Sequence, residues 1–324
     1  ISSIRRNTRS YLKSRGLGDV YKRQVSTFVQ YAGSGILRRC LCYKSSITAM
    51  ANEINKEIIL QLLEQGLFPG GVHLFDSIDS TNDWSLAELK QGREPAFVCI
   101  ADHQSKGRGR RGRHWLSPAG ANIYLSLTWH FESAVGKLGV LSLAQGVAVI
   151  KALGKIGISN AWLKWPKDVL INDEKIAGVL IETSAVRANS CNAVIGIGLN
   201  YRMPENIRPE SGMRWTDIAH SNCASLPDRN KLIAVLITEA VAMCRLYQQN
   251  TTAIMSDIKS ELEVLNNRNV SLHLDNGDRL AGAVLGVNEM GELRVLVDGK
   301  ERVFNSADVS LSKLNDQAET GGLC

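Results

Sequence analysis

The most informative stretch of this chain is KGRGRRGRHWLSPAGANIYLSLTWHF, residues 106–131. From Ile123 to Phe131 apolar and polar side chains alternate, which predicts a half-buried β-strand. Before that strand, three glycines stand among four arginines. Glycine lets the backbone approach an anion closely and arginine offers forked donors, so the pattern favours a phosphate-binding loop. A solvated basic turn and a nucleic-acid-binding Gly/Arg segment are the alternatives.

Around this stretch, the hydrophobic pattern predicts a mixed α/β (α+β) core followed by a small β-barrel. Helices are predicted at about 54–63, 80–91, 137–155, 229–249 and 252–264. Strands of the core are predicted at 72–75, 96–101, 123–131, 162–165, 169–171, 175–182 and 194–199. The β segments of the barrel are predicted at 269–274, 279–287, 291–298 and 300–304.

The 324 residues are enough for one large and one small domain. We divide them into a basic leader (1–49), a core domain (50–266), a β-barrel domain (267–315) and a tail (316–324). The leader holds ten Lys and Arg but one acid, a composition typical of a transit peptide, a disordered arm or a non-native segment. The other residues include 28 basic and 31 acidic side chains, which argues against a general nucleic-acid-coating surface.

Cysteine and histidine spacing excludes several other classes. The seven cysteines are scattered without a C-x-x-C pair, so the sequence predicts neither a disulfide framework nor a zinc site, and favours a reducing compartment. The six histidines show no metal-ligand spacing. No apolar run approaches the roughly 20 residues that cross a bilayer, so no membrane association is expected.

Three further features could contribute to a site. Lys164 alternates with Leu163 and Trp165, so it either lies at a strand edge or pairs with an anion. Gly196 and Gly198 lie on one face of a strand, which leaves room for a ligand or for a closely packed helix. Ser80 is placed to cap a helix whose N-terminus could also bind a ligand.

The order of these motifs resembles that of the biotin protein ligases over residues 70–315. The matching segments are Ile78–Asn82, Gln104–Trp115, Ser117–Ser126, Lys164–Asp168, Lys175–Glu182 and Gly196–Asn200. The resemblance implies a core related to class II aminoacyl-tRNA synthetases and lipoate ligases, with a small C-terminal β-barrel. It also implies formation of biotinyl-5′-AMP from biotin and MgATP. Biotin then moves to a lysine of the biotin carboxyl carrier domain of a carboxylase.

The resemblance also assigns residues to the site. The biotin-contacting positions are Ser80, Thr81, Asn82, Gln104, Arg108, Gly109, Arg110 and Lys164. The ATP and adenylate positions are Arg108, Arg111, Trp115, Asp168, Lys175, Asn200 and Trp215. Arg110 and Lys164 are the expected catalytic groups. No metal-ligating residue is expected, because ATP brings its own Mg²⁺.

Two departures from the family pattern limit this transfer. The family usually has asparagine after Trp-Pro, whereas this chain has Lys167, which we leave outside the site. Residues 1–49 lack the helix-turn-helix of the repressor members, so DNA binding is not expected. A cytoplasmic location is expected, or an organelle matrix if the leader is a transit peptide. Family members can form homodimers, which the sequence does not decide.

Two alternative functions remain open at this stage. One is a lipoate or octanoate ligase or transferase on the same core. The other is a nucleic-acid-binding module that uses the Gly/Arg segment, whose affinity would fall steeply with salt.

Overall fold

The computed structural model describes residues 53–64, 67, 70–132, 138–187, 190–207, 214–221, 223, 225–274, 277–305 and 309–313. The predicted leader (1–49) and tail (316–324) lie outside these residues. The described residues belong to one compact unit. Its helices are α1 (Lys56–Leu62), α2 (Thr81–Lys90), α3 (Leu138–Lys155), α4 (Arg229–Gln249) and α5 (Thr251–Leu262).

A seven-stranded sheet forms the core. Its strands are β1 (Val72–Ile78), β2 (Val98–Gln104), β3 (Asn122–Phe131), β4 (Ala161–Lys164), β5 (Asp168–Ile171), β6 (Glu174–Arg187) and β7 (Ser190–Asn200). The strand order is β1-β2-β3-β7-β6-β5-β4. β1 and β2 are parallel and joined through α2, whereas the other neighbours are antiparallel. The alternating stretch identified in the sequence is therefore the third strand of this sheet.

The register of the central strands brings distant motifs together. β3 and β7 pair from Asn122 opposite Asn200 to Phe131 opposite Cys191. The N-terminal end of β3 therefore lies beside the glycine-containing end of β7. β5 and β6 are joined at Asn172 and Asp173, which both have positive φ, as a two-residue type I′ hairpin turn requires.

The small C-terminal β-domain is a five-stranded antiparallel sheet. Its strands are β8 (Asn269–Leu274), β9 (Arg279–Val287), β10 (Leu293–Val297), β11 (Lys300–Phe304) and β12 (Val309–Lys313), in the order β11-β10-β9-β8-β12. Apolar residues of both sheets belong to one hydrophobic core. At the junction, the indole N–H of Trp165 donates to the carbonyl oxygen of Gly291 at 3.0 Å. The mixed α/β core with a small C-terminal β-domain, predicted from the sequence, is confirmed.

Helix α4 is the one helix in the described part of the chain that is long and apolar enough to cross a membrane. Most of it is buried inside the protein, and its first residue, Arg229, is completely buried. It packs against α3, where the side chain of Gln145 donates to the backbone carbonyl of Ala240 at 3.2 Å. A core helix of a folded domain has these same properties.

Candidate active site

An open cleft lies where the N-terminus of α2 faces β3, β6 and β7. The space within it, including the part that is open to solvent, is about 490 Å³. The residues that line it are Ser80, Thr81, Asn82, Gln104, Arg108, Gly109, Trp115, Tyr124, Leu125, Lys167, Lys175, Gly178, Val179, Leu180, Gly196, Ile197 and Gly198. Polar and charged side chains therefore converge on a concave surface, as in small-molecule sites.

One end of the cleft is a network of neutral hydrogen bonds. The Ser80 hydroxyl caps α2, as predicted, by accepting from the backbone N–H of Asp83. Ser126 Oγ lies 2.6 Å from Asn82 Oδ1 and 2.8 Å from Thr81 Oγ1. The Gln104 side-chain oxygen accepts from the backbone N–H of Thr81 at 2.9 Å. The side chains at this helix N-terminus are thus held in fixed positions, ready to hydrogen-bond an uncharged polar ligand.

Two glycines of β7 permit the close packing that shapes the cleft. A Cβ added at Gly196 would lie 2.3 Å from Asn82 Oδ1, and one at Gly198 would lie 2.5 Å from the Trp115 indole. Both glycines also line the cleft, so their missing side chains permit close packing and also leave room for a ligand. The buried indole N–H of Trp115 has no hydrogen-bond partner among the described residues, and an acceptor on a ligand would supply one.

Gly198→Ala is expected to destabilise the protein by about 1–3 kcal/mol, because its new methyl group forces the Trp115 indole to move. The matched control is Gly154→Ala, on an exposed position of α3 where an added Cβ meets nothing within 4 Å. That change should stabilise the protein by up to about 1 kcal/mol, since alanine favours helix. Urea denaturation measures both, and equal stability of Gly198→Ala and wild type would contradict the packing argument.

The Gly/Arg segment forms a short hairpin at the mouth of the cleft. The backbone N–H of Trp115 donates to Gly107, and that of Gly109 donates to Arg113 at 2.7 Å. Arg108 Nη2 lies 2.8 Å from Asp83 Oδ1 and 2.5 Å from Glu182 Oε2. The hairpin is therefore tied to α2 and β6 through charge pairs. The predicted contact of Arg108 with ATP stays a prediction.

A cation cluster surrounds the buried carboxylate of Asp168 at the opposite end of the cleft. We define it as Arg110, Arg113, Lys164, Lys167 and Lys175, the groups that act electrostatically on Asp168 or on Lys167. Burial alone raises the pKa of Asp168, but Lys175, Lys167 and Lys164 outweigh burial and hold that pKa below its usual value. With one carboxylate among five cations, this end of the cleft favours a polyanion.

Lys175 is the best-defined member of the cation cluster. Its Nζ lies 2.7 Å from Asp168 Oδ1, and both side chains are mostly buried. The same Nζ lies 5.0 Å from the centroid of the Trp115 ring, at cation–π distance. Lys175 therefore connects the carboxylate to the aromatic wall of the cleft.

Lys167, which the family resemblance leaves outside the site, lines the cleft. Burial lowers the pKa of its amino group to about 7, and repulsion from Lys175, Arg110 and Arg113 acts in the same direction. Asp168 opposes this effect. Lys167, the residue that departs from the family pattern, therefore lies inside the site, and the prediction that leaves it outside is wrong.

The structure brings most of the predicted site residues to the cleft. Those that line it are Ser80, Thr81, Asn82, Gln104, Arg108, Gly109, Trp115 and Lys175. Arg110, Lys164 and Asp168 lie outside the lining but belong to the region of the cation cluster. The side chain of Arg111 lies outside the described part of the chain.

Asn200 and Trp215 lie behind the cleft, outside its lining. The Asn200 amide donates to the carbonyl of Thr216 at 3.0 Å and accepts from Asn122 at 3.4 Å. The Trp215 backbone forms a bridge with that of Lys175. In this structure both residues support the start of β6, from which Lys175 enters the cleft.

Glu182 and Ser126 belong to the site, although their positions in the matching motifs gave them no assigned role. Glu182 accepts from both Arg108 and Asn82, and Ser126 contacts the two side chains that follow the α2 cap. Ser126 lies on the alternating strand β3, whereas Glu182 follows a continuous apolar run on β6. Only the folded structure shows that they contact residues that line the cleft.

Comparisons with known proteins agree with this geometry. Residues 74–200 match the model of the Biotin/lipoate A/B protein ligase family. A Bifunctional ligase/repressor BirA of Escherichia coli K12 is 35% identical, over 78% of this chain and 77% of that protein. A Biotin--[acetyl-CoA-carboxylase] ligase of Mycobacterium tuberculosis is 31% identical, over 71% and 85% respectively. The structure of a biotin protein ligase from Aquifex aeolicus with biotin and ATP is similar at a TM-score of 0.64 and 25% identity, covering 75% of this chain and 99% of that one.

Proposed function

Because the chain belongs to the biotin protein ligase family, we infer that it is an enzyme that attaches biotin to protein at the expense of ATP. In the first step, a carboxylate oxygen of biotin attacks the α-phosphorus of ATP, and pyrophosphate leaves. In the second step, the amine of an acceptor lysine attacks the carbonyl carbon of biotinyl-5′-AMP. An amide bond forms, AMP leaves, and the amine releases a proton.

The observation that carries this inference is the difference between the two ends of the cleft. The α2 end offers fixed neutral donors and acceptors, which suit the uncharged ureido ring of biotin. The cation cluster at the other end suits a triphosphate. If the biotin ring lies at the α2 end, its side chain extends towards the cation cluster. Its carboxylate then lies next to the α-phosphate of ATP.

The positive charges of the cation cluster can reduce the electrostatic repulsion between the two anions that react in the first step. A carboxylate and a phosphate repel each other, and two unit charges about 4 Å apart interact by about 4 kcal/mol at an effective dielectric constant of 20. We assign Arg110 and Lys164 to neutralise this repulsion and the charge that develops in the transition state. Arg110 stays protonated, so its role is electrostatic and not that of a general base.

Mg²⁺ is expected to arrive with ATP. Among the described residues, no group of three or more His, Cys, Asp or Glu could hold a metal ion. Asp168, the carboxylate within the cation cluster, is already paired with Lys175. We therefore place Mg²⁺ on the phosphates of ATP, its usual position in such enzymes, and derive no step through it.

The second step requires an acceptor with a free amine. We propose that it is a lysine of the biotin carboxyl carrier domain of a carboxylase. We also propose a cytoplasmic location, where such acceptors meet ATP and biotin. These assignments rest on the family resemblance and on the reducing compartment that the cysteines favour.

The test is adenylate formation by purified protein with MgATP and biotin, lipoate or octanoate, supplied separately. Pyrophosphate release and mass spectrometry of the acyl-adenylate are the measurements. We expect biotinyl-AMP from biotin and no adenylate from the other two acids. An adenylate formed only from lipoate or octanoate would move the protein to the sister activity, and none from any acid, with the protein folded, would reject the function.

A further inference from the structure

The backbone around Lys167 is held from both sides. Its N–H donates to the carbonyl of Lys164 at 3.1 Å, and its own carbonyl accepts from the N–H of Val179 at 3.2 Å. Lys167 lies in the connection between β4 and β5, and Val179 lies on β6 and lines the cleft. A side chain that starts from so fixed a backbone and lines the cleft is positioned to contact a bound ligand.

The charged groups that face Lys167 come from three neighbouring elements. Asp168 starts β5, Lys175 lies on β6, and Arg110 and Arg113 belong to the Gly/Arg hairpin. Asp168 is the one carboxylate among these groups, and it forms its close ion pair with Lys175 at 2.7 Å. The carboxylate of Asp168 is therefore shared with Lys175, and an anionic ligand at this end of the cleft would stabilise the ammonium group of Lys167.

We propose that Lys167 is a further phosphate-binding residue of this cleft, whose ammonium group contacts the phosphate oxygens of the nucleotide beside Lys175. The proposal deepens the proposed function, on which the identity of the nucleotide rests. It follows from the position of Lys167 in the cleft lining, which it shares with Lys175, and from the repulsion that Lys175 and Arg113 exert on its ammonium group. A lysine serves this role as a point charge on a flexible stem.

Nucleotide binding is expected to change the protonation of Lys167. Without ligand, burial and neighbouring cations hold the pKa of Lys167 at about 7, so at pH 8 most of the amine is neutral. Phosphate oxygens stabilise the ammonium form and raise this pKa, so nucleotide binding takes up a proton. The binding-competent cation falls from about one half of the molecules at pH 7 to about a tenth at pH 8. Nucleotide affinity therefore weakens by about fivefold across that range.

The experiment is isothermal titration calorimetry of the full chain with MgATP and no biotin. Titrations at about pH 8 in two buffers of different ionisation enthalpy give the number of protons taken up. We expect wild type to take up most of one proton and to bind about fivefold more tightly at pH 7 than at pH 8. Lys167→Gln should abolish the uptake and weaken binding at pH 7, whereas Lys167→Arg should bind without uptake and without this pH dependence.

The matched control is Lys300→Gln, at an exposed position of β11 in the small sheet, which should behave as wild type. Equal affinity and equal proton uptake in Lys167→Gln and wild type would overturn the proposal. That result, combined with biotinyl-AMP formation by the wild type, would leave the proposed function standing. Failure of the wild type to form any adenylate while it still binds MgATP would instead reject the function and not the role of Lys167.

Discussion

Arg110→Ala and Lys164→Ala should each slow biotinyl-AMP formation by about 100-fold or more, the effect of removing one group that stabilises transition-state charge. Lys164 ends β4 and acts electrostatically on the buried carboxylate of Asp168. Arg110 acts on Lys167 from the hairpin on the other side. The two cations thus approach the nucleotide end of the cleft from different elements. Single-turnover pyrophosphate release at saturating MgATP measures the rate.

The controls for this pair are Arg279→Ala and Lys300→Ala, which remove the same side chains from exposed positions in the small sheet. Both should retain the wild-type rate. A fall in the rate constant at saturating substrate distinguishes a role in the transition state from a role in binding alone. Near-normal single-turnover rates in Arg110→Ala and Lys164→Ala would reject their assignment as catalytic groups.

Arg229→Met should lower the free energy of unfolding by about 1.5–3 kcal/mol, because it removes the charge-assisted hydrogen bonds of a buried guanidinium, including the one to the partly exposed carboxylate of Asp102. Arg229 is completely buried at the start of α4, and its Nη1 lies 2.6 Å from Asp102 Oδ1 on β2. Its other terminal nitrogen donates to the backbone carbonyl of Asn122 on β3. One side chain thus joins a helix to two strands. Urea denaturation followed by circular dichroism measures the loss.

Arg302→Met is the matched control, on an exposed position of β11, and should change stability by less than about 0.5 kcal/mol. Since a loss of this size is a large part of a typical domain's stability, Arg229→Lys provides a milder variant. It keeps the charge but loses the forked contact, so its stability should fall between those of Arg229→Met and wild type. A loss below about 1 kcal/mol in Arg229→Met would contradict the structural role.

Local sequence patterns predicted most of the elements, because apolar periodicity and caps depend on neighbouring residues. The helix predicted at 229–249 has those bounds, and Asp228 caps it by accepting from the N–H of Lys231. Strand ends were less accurate. β6 continues to Arg187, beyond the predicted residue 182, since it pairs with β7 as far as Ser190. Residues 183–187 show no regular alternation of apolar and polar side chains, so the sequence pattern gave no signal for this extension.

The site was harder to predict than the fold, because its contacts join residues far apart in the chain. Arg108 pairs with Glu182, 74 residues later, and nothing in the local sequence of β6 distinguishes that carboxylate from a surface one. Lys167 shows the same difficulty. Its charge next to Asp168 resembles a solvated turn, and only the assembly of β4, β5, β6 and the hairpin makes it part of the cleft.

The hydrogen bond from Trp165 to Gly291 can form only late in the synthesis of the chain. These residues are 126 positions apart, and Trp165 directly follows the strand that carries Lys164. During synthesis the chain emerges from its N-terminus, so the Trp165 indole stays without this acceptor until the small sheet has left the ribosome. The indole beside the strand that carries Lys164 therefore gains its hydrogen-bond partner only after Gly291 has emerged.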